Sequence, residues 1–494
     1  MTAQELLDSL GAIVGPAHVD AGDAVREEDT HDEALTVHAV RPAAVVRPRT
    51  TEEVSAVLAL ADAAGIPVVA RGSGTGLAGG ASPVAEGLVV CFDRMNEILE
   101  IDGLNHVAVV QPGVTLRELD DALRPLGFVY PVYPGEMSSS LGGNVATNAG
   151  GMRAVRYGVT RHNVLGLELV LPGGEVLRTG GKFVKSSSGY DLTQLVLGSE
   201  GTLALVTEVT VKLAARLSHQ ATLLVPFPSL ELVASAVPRL LGAGVAPMIL
   251  EYLDTGVMEA IVKEAGLELG VPDAVRHEAA AYLVVVLESA RADRLDEDAE
   301  TAADLLARLG ALDVYVLPPA AGTSLISARE RVFFVAKALG ADDIVDTVVP
   351  RAQIPAFLAE TARLAEENRA IVSGCGHVGD GNVHLSVFQP DAARRHDLLW
   401  SLFRAARDLG GAVSGEHGIG TEKAPYWLEL EDPAKLALMR RIKAAFDPHG
   451  ILGPGRLLEA PRDRRHAAVA GAAGSAGAAG SAGDAGSPDA ARAR

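Results

Sequence analysis

An α+β chain of two large domains is what the sequence predicts, on three observations. Short β-branched runs and helical periodicities are mixed from residue 43 onward. Two glycine-rich, small-residue stretches, 71–80 and 134–151, lie among strand-like runs in the first half. After about residue 218 the texture changes: strand-like runs alternate with longer alanine-rich helices, as in an antiparallel sheet with helices packed on it. The boundaries predicted are an N-terminal helical segment over 1–37, a first domain over 38–217, a second over 218–458, and a tail from 459 to 494.

The elements follow in order. MTAQELLDSLG reads as a short helix ended by Gly11, with no basic start to an apolar segment and so no signal peptide. Ala43 to Arg47 is the first strand. Thr51 to Ala64 is a helix that puts Val54, Val57, Leu58 and Ala61 on one face, and Gly65 stops it. Ile66 to Ala70 and Leu88 to Phe92 are strands. Ile98 to Ile101 and His106 to Val110 form a hairpin around Asp102-Gly103. Thr115 and Glu118 make a capping box for a helix ending near Gly127. Leu165 to Leu171 pairs with Glu175 to Thr179 across Pro172-Gly173-Gly174, and Gly201 to Leu213 is a strand alternating in Val and Thr. In the second domain Thr222 to Val225, Met248 to Tyr252 and Tyr282 to Leu287 read as strands. From Ala460 on, Ala, Gly and Ser lack the apolar mass to offset ordering entropy, which predicts a disordered tail.

Composition narrows the function classes. The formal charge is −20, from 63 acidic and 43 basic residues, which argues against nucleic acid or an anionic membrane as main partner. The longest apolar runs have strand length, so no transmembrane helix is expected. Two cysteines, Cys91 and Cys375, exclude an iron–sulfur cluster held by four cysteines of this chain, as well as a disulfide framework. A cytoplasmic protein is the simplest expectation, with peripheral attachment to a membrane only through an electron-acceptor partner.

Gly74-Thr75-Gly76-Leu77-Ala78-Gly79 matches G-x-G-x-x-G, and a strand precedes it. A dinucleotide fingerprint needs a helix next, to meet the pyrophosphate. Pro83 and the strand at Leu88 leave no room for one, so this is a loop that cradles a diphosphate with backbone N–H groups rather than a Rossmann turn. The second stretch, with Ser138, Ser139, Ser140, Gly142, Gly143 and Asn148, suits close backbone approach to a flat ring. Two such loops fit a large extended cofactor such as FAD.

GHVGDGNVH, residues 376–384, carries the sharper signal. With Asp380 and Gly381 as a hairpin tip, positions summing to 761 face each other, and His377 and His384 become a cross-strand pair. Glu416, beside His417 in SGEHGIG, offers a third ligand. Two histidines and a carboxylate suit a catalytic Zn²⁺ with an open position, and Mn²⁺ or Fe²⁺ is chemically reasonable. An exposed His pair on a hairpin is the bland alternative. Arg329, on a predicted helix, suits a carboxylate clamp, and sequence alone does not separate it from Arg331.

Seven stretches in this order resemble the FAD-linked oxidase family with a VAO/PCMH-type FAD domain: RGSGTGLAGG, LGGNVATNAGG, RYGVTRHNVLGLELVLPGGEV, GGKFVKSSSGYDLTQLVLGSEGTL, GHVGDGNVH, SGEHGIGTEK and FDPHGILGPGR. The likeness spans about residues 40 to 458 and is nearest to the FAD-binding subunit of glycolate oxidase and to D-lactate dehydrogenases. It implies a two-subdomain FAD-binding domain and an α+β substrate domain capping the flavin. It further implies that Arg71, Gly72, Ser73, Gly74, Thr75 and Gly76 bind the pyrophosphate. Pro134, Gly135, Ser138, Ser140, Gly142, Gly143, Asn148 and Gly151 would line the rest of FAD, with Glu200 and Val206 close by. Thr75 stands where some relatives attach FAD through histidine, so non-covalent FAD is expected. In the metal-dependent members, positions matching His377, His384 and Glu416 are ligands, His417 matches the base and Arg329 the substrate-carboxylate anchor.

The implied reaction oxidises an (R)-2-hydroxy acid or glycolate to the 2-oxo acid by hydride transfer to flavin, His417 taking the hydroxyl proton. Three departures bear on the substrate and the cofactor site. Ile344 stands where hydroxyglutarate enzymes of the family carry a lysine, and with Phe333 and Phe334 nearby it predicts an apolar wall that favours D-lactate, glycolate or an apolar side chain. Ser386 replaces an asparagine common in those enzymes. Gly453 replaces the usual Asn before Pro-Gly. The alternatives are a D-2-hydroxyglutarate dehydrogenase, a non-catalytic FAD subunit of an electron-transfer complex, and an O₂-using oxidase of bulky alcohols. Electrons are expected to leave to an iron–sulfur partner subunit, an electron-transfer flavoprotein, a cytochrome or a quinone, and a homodimer is an allowed assembly.

Overall fold

In the computed structural model, residues 1–459 are described, and the predicted tail from Ala460 lies outside them. Helix Ala3–Val14 opens the chain behind a Thr2/Glu5 capping box. Gly11 does not end it: the helix runs on to Gly15, whose φ of 89° suits glycine, and that extra turn lets Val14 join Leu6 and Leu10 on the buried face. Those residues pack on a four-stranded sheet of order Val19–Asp20, Ala44–Val46, Leu88–Cys91, Val68–Arg71, parallel except for its first strand. Helix Thr51–Ala64 buries Val54, Val57, Leu58 and Ala61 as its periodicity requires, and Gly65 closes it at φ 64°. Ile451 and Leu452, from the far end of the chain, return to this layer: Val68 N–H donates to Ile451 O at 2.8 Å and Gly453 N–H to Val68 O at 2.9 Å.

A five-stranded antiparallel sheet follows, of order Ile98–Asp102, Val107–Val110, Leu205–Lys212, Val164–Val170, Val176–Gly180. Leu205–Lys212 alternates buried and half-buried along its length, as the Val/Thr pattern demands. The strand starts at Leu205 and not Gly201, because Glu200 and Gly201 both adopt positive φ.

The second half holds a seven-stranded antiparallel sheet of order Tyr315–Leu317, His219–Phe227, Ala281–Ser289, Ile249–Asp254, Ile371–Gly376, Asn382–Phe388, Asp343–Val348. Alternation along each strand divides its two faces. Leu250, Tyr252, Val345, Val383, Leu385 and Val387 join a large core with helices Leu230–Gly242, Ile354–Glu367 and Ala392–Asp408. The intervening residues Glu251, Asp346, His384 and Ser386 therefore emerge on the other face. That face carries the chemistry.

Candidate active site

The first glycine stretch leaves strand Val68–Arg71 and enters no helix before strand Leu88–Cys91. Gly74 sits at φ 75°, where a side chain would be strained. The backbone N–H groups of Gly74, Thr75 and Gly76 make no hydrogen bond within the described residues, so they are free for an anion. The second stretch is not wholly a loop. Residues Leu141–Thr147 form a helix capped by Ser140, with Asn148 in the left-handed conformation at its end. A Ser cap and an Asn terminator override the two glycines that suggested loop. Ser140 Oγ accepts from both Ser73 N–H and Gly143 N–H at 3.3 Å, tying the two stretches into one wall.

Between them lies a cleft of about 1390 Å³, part of it open to solvent. Of the residues the sequence singled out, Gly72, Ser73, Gly74, Thr75, Gly76, Pro134, Ser140, Gly142, Gly143, Glu200 and Val206 line it. Arg71, Gly135, Ser138, Asn148 and Gly151 do not. The Arg71 side chain turns inward, donating to His31 O at 2.7 Å beside Asp29. Asn148 Oδ1 accepts the Arg161 N–H at 2.9 Å. Gly151, at φ 119°, lies where a Cβ would collide with Tyr133 O. Glu200 is buried, and its oxygens accept the N–H groups of Ile419 (2.7 Å) and Gly420 (2.6 Å), stitching the first domain to the loop after His417. Gly453, at φ 54°, is in a region that Asn also tolerates. Orphan backbone donors and a glycine-lined cleft fit FAD.

At its other end the same cleft is walled by Glu416 and His417. A Cβ on Gly150 would lie 2.6 Å from Glu416 Oε2, so glycine there lets the two domains meet. His377 Nε2, His384 Nε2 and Glu416 Oε1 form a triangle with sides of 3.2, 3.2 and 3.3 Å. A tetrahedral ion with ligands at about 2.0–2.1 Å has edges of roughly 3.3–3.4 Å, so the donor set fits a divalent metal. His377 Nδ1 bonds the buried Glu251 carboxylate, the kind of support that orients a metal-ligating imidazole. Burial disfavours charge on His377, yet Glu251 and Glu416 outweigh it and hold its pKa well above the imidazole range. Burial likewise opposes ionisation of Glu416, but His377 and His384 hold it below the usual carboxylate range. The pocket is built to surround positive charge.

The two histidines meet by a different register from the predicted one. Cys375 faces His384 and Ser373 faces Ser386, so paired positions sum to 759. His377 lies beyond the ladder, in a wide turn where its carbonyl accepts from Asp380, Gly381 and Asn382 N–H. Gly381, at φ 99°, accepts the Val349 N–H on its carbonyl at 3.0 Å, which draws the turn toward the neighbouring strand.

Asp346 was not among the expected site residues. Fully buried and opposite His384 in register, it accepts with Oδ2 from Ser414 Oγ (2.8 Å) and the N–H groups of Gly415 (3.1 Å), Glu416 (3.1 Å) and His417 (2.8 Å). Its Oδ1 accepts from Asn382 Nδ2 at 2.8 Å. Asp346, His384 and His417 also cluster, but a carboxylate holding so many donors has little left for an ion. His417 stacks on His384 with ring centroids 5.1 Å apart, and its buried Nδ1 has no hydrogen-bond partner. Burial pushes its pKa down to about 4, with Lys423 and His384 acting in the same direction against Asp346. A neutral imidazole facing the cleft can accept a proton.

Arg329 and Arg331 are now distinguishable. Arg331 is exposed and pairs with Glu264. Arg329, buried near the end of helix Pro319–Glu330, donates from Nε to Glu251 Oε2 at 2.9 Å. Its Nη2 lies 2.9 Å from the same oxygen but off its hydrogen-bonding direction. Glu251, also unforeseen, thus joins Arg329 to His377; the only signal was a carboxylate inside the apolar strand ILEYLD.

Ile344 faces Ser386, one rung from the Asp346–His384 pair on the same sheet face. It lines a second cavity of about 1050 Å³ together with Phe333, Leu77, Tyr426, Arg395 and Lys423. The expected wall is therefore only partly apolar, and Phe334 is 45% exposed, away from it.

Comparison with known proteins gives two family matches: "FAD binding domain" over residues 42–180 and "FAD linked oxidases, C-terminal domain" over 216–457. An uncharacterized FAD-linked oxidoreductase of Mycobacterium tuberculosis is 55% identical, over 91% of this chain and 98% of that one. A D-lactate dehydrogenase of Archaeoglobus fulgidus is 38% identical (88% and 96% covered), and the glycolate oxidase subunit GlcD of Bacillus subtilis 35% (95% and 100%). Among solved structures, p-cresol methylhydroxylase has a TM-score of 0.76 at 18% identity, and the 4-ethylphenol oxidase of Gulosibacter chungangensis 0.75 at 21%, each with 93% of this chain and 97% of the other covered. At these identities the structural likeness speaks for the fold, which agrees with the VAO/PCMH-type expectation. Among the described residues no helix is long and apolar enough to cross a membrane.

Proposed function

Because the chain belongs to the FAD-linked oxidase family, we propose that it oxidises an (R)-2-hydroxy acid, D-lactate or glycolate, to the 2-oxo acid. One observation carries this reading: a single cleft runs from the free N–H groups of Gly74 to Gly76 to Glu416 and His417. FAD bound there would accept the hydride, and a divalent ion in the His377, His384, Glu416 triangle would polarise the substrate hydroxyl.

The chain's own residues do the rest. Gly72 to Gly76, with Ser140, Gly142 and Gly143, hold the cofactor without a covalent link, since Thr75 offers no attachment chemistry. His417 takes the hydroxyl proton on an imidazole kept neutral by burial. Arg329 orients the substrate carboxylate with whatever of its guanidinium Glu251 leaves free. Glu251 and Asp346 position His377 and the Ser414–His417 loop respectively. Electrons then pass to an external acceptor, in keeping with the absence of four cysteines for a cluster.

A second reading, oxidation of D-2-hydroxyglutarate, draws on Arg395 and Lys423 in the cavity beside Ile344, which would receive a far carboxylate. Both are committed elsewhere: Arg395 donates to Gln389 O at 2.8 Å and Lys423 to Gly418 O at 3.4 Å, so the monocarboxylate reading is preferred. The test is an anaerobic visible spectrum before and after separate additions of D-lactate, L-lactate, glycolate and D-2-hydroxyglutarate. Bleaching of the flavin bands by D-lactate or glycolate is expected. Bleaching by D-2-hydroxyglutarate alone would favour the second reading, and a flavoprotein bleached by none would overturn both.

A further inference from the structure

Arg153 is the anomaly of the first domain. Two residues after Gly151, it lays its guanidinium over the Tyr133 ring, 4.5 Å from the centroid. Its Nε is buried without a hydrogen-bond partner, and no carboxylate pairs with the group among the described residues. Burial pushes its pKa down, with Arg216 adding to the effect and Glu288 and Asp120 only partly opposing it. The residue is half-buried, and a buried donor left without a partner is costly enough to call for an explanation.

The group faces a cavity of about 680 Å³ lined also by Tyr130, Tyr133, Arg124, Arg216 and Asp120. Asp120 is its lone acid, and both its oxygens are taken. Arg124 Nη2 donates to Oδ2 at 2.7 Å, and Arg216 donates to Oδ1. Three guanidinium groups thus line a cavity whose single carboxylate pairs with only two of them, in a chain whose formal charge is −20. Segment Tyr133 to Met137 divides this cavity from the flavin cleft: Tyr133 and Met137 line the former, Pro134 and Glu136 the latter.

We propose that this cavity is a binding site for a small oxyanion, a carboxylate or a phosphate, with Arg153 as its principal ligand and Arg124 and Arg216 completing the charge. Planar guanidinium forks match either oxyanion, and the Tyr133 ring under Arg153 fixes the plane from which it is approached. This site is separate from the His377, His384, Glu416 triangle and does not depend on the hydroxy-acid reading: a flavoprotein that oxidised no hydroxy acid would still carry it.

Calorimetric titration of the full-length protein with inorganic phosphate and, separately, with acetate at constant ionic strength tests it. A saturable component is expected for at least one anion, weakened by about tenfold or more in Arg153→Met, as loss of one charge-assisted hydrogen bond predicts. Arg124→Glu, at a side chain that is 62% exposed, should weaken the same component and guards against a misfolded Arg153 variant. Binding of phosphate alone identifies a phosphate site, and of acetate alone a carboxylate site. No saturable component, or one untouched by both substitutions, overturns the proposal.

Discussion

Asp346 holds His417 by its backbone and leaves its ring alone: Oδ2 accepts the His417 N–H at 2.8 Å, while the imidazole Nδ1 stands 3.9 Å away. The carboxylate thus fixes where the histidine is without forming the close ring contact that would charge it. Asp346→Asn substitutes an amide for a buried carboxylate that three consecutive N–H groups and Ser414 converge on. We predict a loss of about 3–5 kcal/mol in unfolding free energy, the scale for breaking a buried charged network. Denaturant unfolding measures it, and a change within the range of an ordinary surface substitution would deny Asp346 this role.

The donor triangle predicts that the purified protein carries one divalent ion, measurable by elemental analysis. His384→Ala should abolish it, and Glu251→Gln should weaken it by about 10–100-fold by unseating His377. Retention of full occupancy in His384→Ala would place the ion elsewhere.

Glu330 predicts a pH dependence of stability. Half-buried beside Tyr133, which donates to it, it has a pKa pushed up from 4.5 to about 7 by burial. The native state therefore holds this proton where the unfolded chain has lost it. Its contribution is fully present below pH 4.5 and is lost as pH rises through about 7. Glu330→Gln should flatten the stability profile over that window. An unchanged profile would mean the carboxyl titrates normally.

Ile344 sits one rung from the Asp346–His384 pair, so its replacement should act on substrate choice and leave cofactor binding alone. Ile344→Lys should shift kcat/KM toward D-2-hydroxyglutarate over D-lactate by about tenfold or more, the value of a hydrogen-bonded charge. Steady-state kinetics with both acids checks this, and an unchanged ratio would remove the second cavity from the substrate path.

What the sequence made legible was local. The G-x-G-x-x-G loop without a helix, the Thr51–Ala64 helix and the grouping of His377, His384 and Glu416 could all be read from short-range pattern. The register of the two histidines is not legible, because Asp380-Gly381 suggests a two-residue tip while the His377 carbonyl closes a wider turn. Helix Leu141–Thr147 is masked in the sequence by Gly142 and Gly143, which outweigh the Ser140 and Asn148 caps as local signals. Glu251 and Asp346 were invisible as partners for a different reason. Each lies inside a largely apolar strand with a second acid at that strand's end, and their neighbours Arg329 and the 414–417 loop are brought to them only by the sheet and the packing of distant segments.

The most direct measurement is the rate of anaerobic flavin reduction by D-lactate and by glycolate in the wild type and in His417→Ala, with FAD content determined in both. The account predicts reduction in the wild type by at least one of the two acids, and a rate about 10²–10⁴-fold lower in the variant at equal FAD content. Equal rates in the two proteins would contradict it, because a base that can be deleted without effect is not taking the substrate's proton.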